Sequence, residues 1–163
     1  EHDPDKDVQL VKLPFCQDKL VAVLPHNHPL AKAGYLELSQ LAEEKFALIK
    51  TDSMPYNLCI RACQGAGFSP RVVFSSHHIE GILDMVTKGN CVSLLFSSHV
   101  DYPIDSVLSI AAPFSVIPIQ PEIQTTIYLA YLRNRPLSPA ASCFLEHCIH
   151  TKAIDSQWAG NGK

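Results

Sequence analysis

The sequence predicts an α/β fold built on a mostly parallel sheet with helices on both faces. Short apolar runs of four or five residues alternate with segments of helical periodicity. Hydroxyl or acidic residues open those helical segments and glycines close them. Hydrophobic residues make up 47% of the 163-residue chain and charged residues 18%, enough apolar material for one core or two small lobes sharing one.

The elements follow in order. Residues 20–24 (LVAVL) and 46–49 (FALI) are too short for independent helices and read as buried strands. Between them, residues 37–44 (ELSQLAEE) suit a helix of about two turns. Thr51, Asp52 and Ser53 then offer N-cap side chains beside Pro55, which a first helical turn tolerates. Leu58, Cys59, Ala62, Cys63 and Ala66 recur at helical spacing, and Gly65 and Gly67 supply the stop. The unit repeats with a strand at 71–74 (RVVF), a cap at Ser75 and Ser76, and one helical face made by Ile79, Ile82, Leu83 and Val86. Lys88 suits the negative helix end and Gly89 the stop.

A strand at 91–95 (CVSLL) leads into another polar turn, Phe96 to His99. Helices of this length between strands imply right-handed parallel crossovers. Residues 107–112 and 114–119, broken by prolines, are expected as one or two short strands. Residues 124–132 (QTTIYLAYL) form a longer strand. Ser138 and Pro139 open a last helix with a buried stripe of Ala141, Phe144, Leu145, Cys148 and Ile149, and the tail from Thr151 is expected to be loose.

Composition removes several function classes. Thirteen Lys and Arg against 16 Asp and Glu leave a net charge of −3 with no basic cluster, so the footprint of a direct nucleic-acid surface is missing. The six cysteines lie in apolar runs and read as reduced core residues. No apolar stretch approaches the ~20 residues of a membrane span. The expectation is a soluble, cytoplasmic protein, and Glu1 in place of Met suggests a fragment of a longer polypeptide.

In an open parallel sheet, ligands bind beyond the carboxyl ends of the strands, where helix N-termini present unpaired N–H groups. Three such turns, Lys50 to Ser53, Phe74 to His77 and Leu95 to Ser98, are rich in hydroxyls and favour a small polar or anionic ligand. Each serine alone is equally readable as a helix cap; convergence of the three on one edge favours the ligand. A nucleophile with a base would have to come from Ser76 with His77 or His78, or from Cys91 with His99. No G-x-S-x-G elbow or orienting third residue accompanies either, so no enzyme and no catalytic residue is expected. His26 with His28, His77 with His78, and His147 with His150 lack metal-site spacing; no metal and no cofactor is expected. Gly65-Ala66-Gly67 follows a helix and has no Lys-Ser/Thr ending, so it is not a phosphate loop.

Several strings, in order, resemble one family. They are residues 24–31 (LPHNHPLA), 67–73 (GFSPRVV), 86–95 (VTKGNCVSLL) and 135–141 (RPLSPAA). Together they make a stretch from about residue 8 to 150 similar to the effector-binding domain of LysR-type transcriptional regulators. The resemblance implies a fold like the type 2 periplasmic binding proteins, with two Rossmann-like lobes and a small-molecule effector in the cleft. DNA would be bound only through an N-terminal winged helix-turn-helix that this chain lacks. It divides the chain into residues 1–19, a remnant of the first lobe; 20–123, the second, effector-binding lobe; 124–150, the return strand and helix; and 151–163, the tail.

The resemblance also implies Thr51, Ser53, Ser76 and His77 as polar effector contacts, with Phe96 or Ser97 closing the cleft. The family usually has Pro where this chain has Phe96. An incomplete first lobe would expose apolar faces of the return strand and helix, so self-association as a homo-oligomer is expected. The alternative reading is a solute-binding protein of a transport system, against which six cysteines argue.

Overall fold

The computed structural model describes residues 10–51, 53–100 and 113–158, the side chains of 151–158 excepted. Among the described residues, six strands and three helices follow in the order β1 (Leu10–Pro25), β2 (Lys45–Ile49), α1 (Met54–Gly65), β3 (Arg71–Ser76), α2 (Ile79–Thr87), β4 (Val92–Phe96), β5 (Phe114–Pro118), β6 (Gln124–Leu132) and α3 (Pro139–Trp158). Short 3₁₀ turns occupy Leu38–Leu41 and Ser97–His99. Asp18–Thr125 forms one compact unit, and the described residues outside it, 10–17 and 126–158, form another.

Within the larger unit the sheet order is β3-β2-β4-β1-β5. The chain steps outward from β2 to β3 through α1, then back across β2 to β4 through α2. Both steps join parallel strands. Right-handed crossovers taken in opposite directions put their helices on opposite faces. The core divides accordingly. Leu20, Ala22, Leu24, Phe46, Leu48, Val92, Leu94 and Phe96 point to one face, where they meet Cys59 and Cys63 of α1. Val21, Val23, Ala47 and Leu95 point to the other, against Ile82, Leu83 and Val86 of α2. Every residue of β4 is buried, which is why it reads as an unbroken apolar run with one exception. That exception is Ser93, fully buried, whose hydroxyl donates to the Ala47 carbonyl at 2.6 Å.

The sheet is mixed, which corrects the expectation of a mostly parallel one. β1 runs antiparallel to β4, with Leu20 opposite Phe96, and antiparallel to β5, with Val21 opposite Pro118. The parallel rule applies to strands joined by a crossover helix, and none of the described helices connects β1 to β4 or to β5. A continuous apolar run reports burial on both faces whatever the strand direction.

Local signals account for the element ends. Ser53 caps α1, accepting from the Tyr56 amide at 3.3 Å, and Pro55 sits in the first turn. Gly67 and Gly89 adopt φ of 90° and 75°, conformations that cost a side chain dearly, and they end the two crossover helices. Gly65 instead belongs to α1 itself. The segment 37–44 forms only the 3₁₀ turn Leu38–Leu41, too short for the expected two helical turns.

β6, most of which falls in the smaller unit, pairs with β1. Ser138 caps α3 by accepting from the Ala141 amide at 3.2 Å, and the helix continues past Thr151 to Trp158, where a loose tail was the expectation. Of the predicted stripe, Cys148 is buried, while Phe144 and Ile149 are 60% and 50% exposed. The strand expected at 107–112 and the Asp52 side chain lie outside the described residues.

Candidate functional site

Because β3, β2 and β4 are adjacent and parallel, their carboxyl ends open on one rim of the larger unit. Ile49 lies opposite Ser76 across the β2–β3 pair, and the Lys50 amide donates to the Ser76 carbonyl at 2.9 Å. The first two turns are thereby joined.

At the first turn Thr51 is exposed. The Ser53 hydroxyl donates to the Lys50 carbonyl at 2.9 Å while capping α1, so it serves the backbone in both directions. At the second turn the Ser76 hydroxyl oxygen accepts from the His78 amide at 3.0 Å. The N-cap position of α2 is His78, not Ser75 or Ser76 as expected, and Ser76 closes a local turn instead. Bonded in this way, Ser76 retains its hydroxyl proton for another acceptor. Gly81 of α2 faces this hydroxyl; a Cβ there would stand 3.4 Å from it. His77 is exposed beside it.

The third turn is built differently. Phe96 is 5% exposed and belongs to the core, its ring meeting that of His99 edge-on at a centroid distance of 5.8 Å. It therefore faces the protein interior rather than walling a cleft. Ser97 donates its hydroxyl proton to Asp18 Oδ1 at 2.7 Å, Ser98 donates to Oδ2 at 2.6 Å, and the Ser98 amide reaches Oδ1 at 3.3 Å. The Lys19 amide adds the fourth bond to the carboxylate, also at Oδ1, at 2.8 Å. Burial alone pushes the Asp18 carboxyl upward, but the Ser98 and Ser97 hydroxyls and the Ser98 and Lys19 amides outweigh it and hold the group below its ordinary value. Asp18 lies 79 and 80 positions from its partners. A single acidic residue ahead of an apolar run was the sole signal for it in the sequence.

Of the candidate nucleophile pairs, Cys91 with His99 does not assemble. Cys91 precedes β4 and His99 follows it, so they stand at opposite ends of that strand. The Cys91 thiol is buried, which pushes its ionisation upward and away from reactivity. His28 is committed to structure, its Nδ1 accepting from the Leu30 amide at 3.1 Å and its Nε2 lying 3.3 Å from Glu44 Oε1. Among the described residues there is no group of three side chains placed to hold a metal ion, and no helix is long and apolar enough to cross a membrane.

The family model of the LysR substrate binding domain matches residues 2–153. The chain belongs to this family. The LysR substrate-binding domain described here is 31% identical over 134 residues to the transcriptional dual regulator GltC of Bacillus subtilis, covering 81% of this chain and 42% of that protein. The chain spans about half the length of the curated relatives it matches. Among solved structures, the C-terminal domain of a probable LysR family transcriptional regulator from Rhodococcus sp. RHA1 superposes with a TM-score of 0.73 at 26% identity, over 86% of this chain and 68% of that one. The regulatory domain of CcmR from Synechocystis PCC6803, solved in complex with 2-PG, superposes with a TM-score of 0.77 at 21% identity, over 93% of this chain and 71% of that one. That second likeness is one of fold, an α/β architecture shared with a LysR-type regulatory domain.

Proposed function

We propose that this LysR substrate-binding domain senses a small molecule bearing a carboxylate or another anionic group, within a transcription regulator whose DNA contacts come from a part of the protein outside this chain. What supports the reading is the common rim at the ends of β2, β3 and β4, whose first two turns carry Thr51, Ser53, Ser76 and His77 next to the exposed Lys50 and are joined by the bond from the Lys50 amide to the Ser76 carbonyl. Hydroxyls, helix N-termini and cationic groups are the chemistry that holds an anion without reacting with it. The complex of the CcmR regulatory domain with 2-PG supports a small-molecule ligand for such a domain.

Binding at this rim biases the arrangement of the regulator, in a homo-oligomer, toward one of its DNA-binding states. Ser76 is the central contact, because its hydroxyl proton is not spent on the backbone, whereas Ser53 must break its bond to the Lys50 carbonyl before it can donate elsewhere.

A thermal-shift screen of small carboxylates and phosphorylated metabolites tests this. A ligand present at about 100 times its dissociation constant adds about 2.7 kcal/mol to the folded state, a rise of roughly 5–10 °C for a domain of this size. The expected result is such a rise for at least one anionic compound, lost in Ser76→Ala. A ligand whose effect survives Ser76→Ala would remove this rim as the site.

A further inference from the structure

The three turns of the rim differ in charge. The first two carry Lys50, His77 and His78, all exposed. The third carries Asp18, 5% exposed, with the Ser97 hydroxyl and the Ser98 hydroxyl and amide all directed at its two oxygens. These are the donors that would otherwise meet a ligand anion. The adjacent cation does not cancel the charge, since Lys19 Nζ is turned to Glu122 at 2.5 Å. The carboxylate is thus a fixed negative group whose local donors are already consumed, two strands away from the turn that holds Lys50. A carboxylate this buried repels a second anion brought up to Ser97 and Ser98 more strongly than it would in bulk water.

We propose that Asp18 is a specificity-determining residue of the rim, making the third turn reject anionic groups so that the acidic end of a ligand is directed to Thr51, Ser53, Ser76 and His77. The inference rests on the reading of the rim as the effector site and deepens it. A ligand with one acidic end fits, and the part reaching Ser97 and Ser98 is neutral or a hydrogen-bond donor. A compound with acidic groups at both ends is disfavoured.

The test is an NMR titration of the whole chain with inorganic phosphate and with acetate, following the backbone amides of His77 and His78 for the second turn and those of Ser97 and Ser98 for the third. In the wild type, the first pair is expected to shift and the second to stay silent. In Asp18→Ala, acetate is expected to shift Ser97 and Ser98 at a concentration at least tenfold lower than any effect on them in the wild type. Asp18→Asn, which keeps the side-chain shape and drops the charge, serves as the second variant should the first fail to fold. Wild-type Ser97 and Ser98 amides that respond at the same anion concentrations as His77 and His78 would overturn the proposal, as would their silence in a folded variant. Silence of His77 and His78 alone would count against the rim as effector site, while the third-turn measurement still decides the role of Asp18.

Discussion

The larger and smaller units of the chain bury their strands to very different degrees. In Asp18–Thr125, β4 is buried at every residue and three of the five residues of β2 are buried, because helices lie on both faces of the sheet. In the smaller unit, no residue of β6 is buried, and Ile127, Tyr128 and Leu132 are 44%, 51% and 41% exposed. β-propensity does not separate them, since QTTIYLAYL is as rich in β-branched and aromatic residues as the strands of the core. What separates them is the number of layers packed on the strand. The rim, with its two joined backbone turns, belongs to the unit whose sheet is packed on both faces, the kind of support a preorganised site requires.

The sharpest test of that contrast is truncation of matched side chains. Phe46→Ala or Leu48→Ala, each at a fully buried position of β2, is expected to cost about 3–5 kcal/mol by urea denaturation. Phe144→Ala or Ile149→Ala in α3 is expected to cost under about 0.5 kcal/mol. Comparable losses in the two units would break the comparison.

Next in size is Asp18→Ala, which removes the acceptor of the half-buried Ser97 and the exposed Ser98 hydroxyls and should cost about 0.5–1.5 kcal/mol. Its pH dependence has a definite sign. The folded carboxyl titrates below its unfolded value, so its contribution is complete above about pH 3.9, the ordinary Asp value, and is lost as pH falls through the lower folded value. Wild type and Asp18→Asn should therefore converge in stability on acidification, and a gap that widens would contradict the assignment.

Thiol labelling reads the same contrast without mutation. Cys16 and Cys143, both exposed and both in the smaller unit, should react with a maleimide at neutral pH. Cys59 and Cys63 should resist until the protein unfolds, since burial pushes their thiols up to about 12 and about 11. A small effect of opposite sign belongs to Gly81→Ala. The added Cβ makes an ordinary contact with the Ser76 hydroxyl at 3.4 Å and removes a helical glycine, a gain of about 0.5–1 kcal/mol in thermal denaturation.

Local periodicity made much of the larger unit readable in advance. The helical face of Ile79, Ile82, Leu83 and Val86 is the face that α2 packs, and Ser53, Gly67 and Gly89 act as the cap and stops their residue types suggest. Strand direction was not readable, because the run 20–24 looks the same whether its neighbours are parallel or antiparallel. At the rim, the turns and their hydroxyls were visible, but the partner of Ser97 and Ser98 was not. Asp18 arrives from nearly half the chain away, and no spacing rule spans that distance. Phe96 misled for a related reason, since a residue at a strand end is equally placed to enter the core or the cleft.

The hydroxyl of Ser93, bridging β4 to the Ala47 carbonyl in the middle of the sheet, acts as a ward in a lock. Sliding β4 one place along β2 would carry that oxygen to the opposite layer, among Phe46 and Leu48, where it would forfeit its acceptor while every apolar neighbour changed sides with it. A serine in so greasy a strand thus penalises mistaken strand alignments during assembly, and the three turns at the rim inherit their common level from that discrimination.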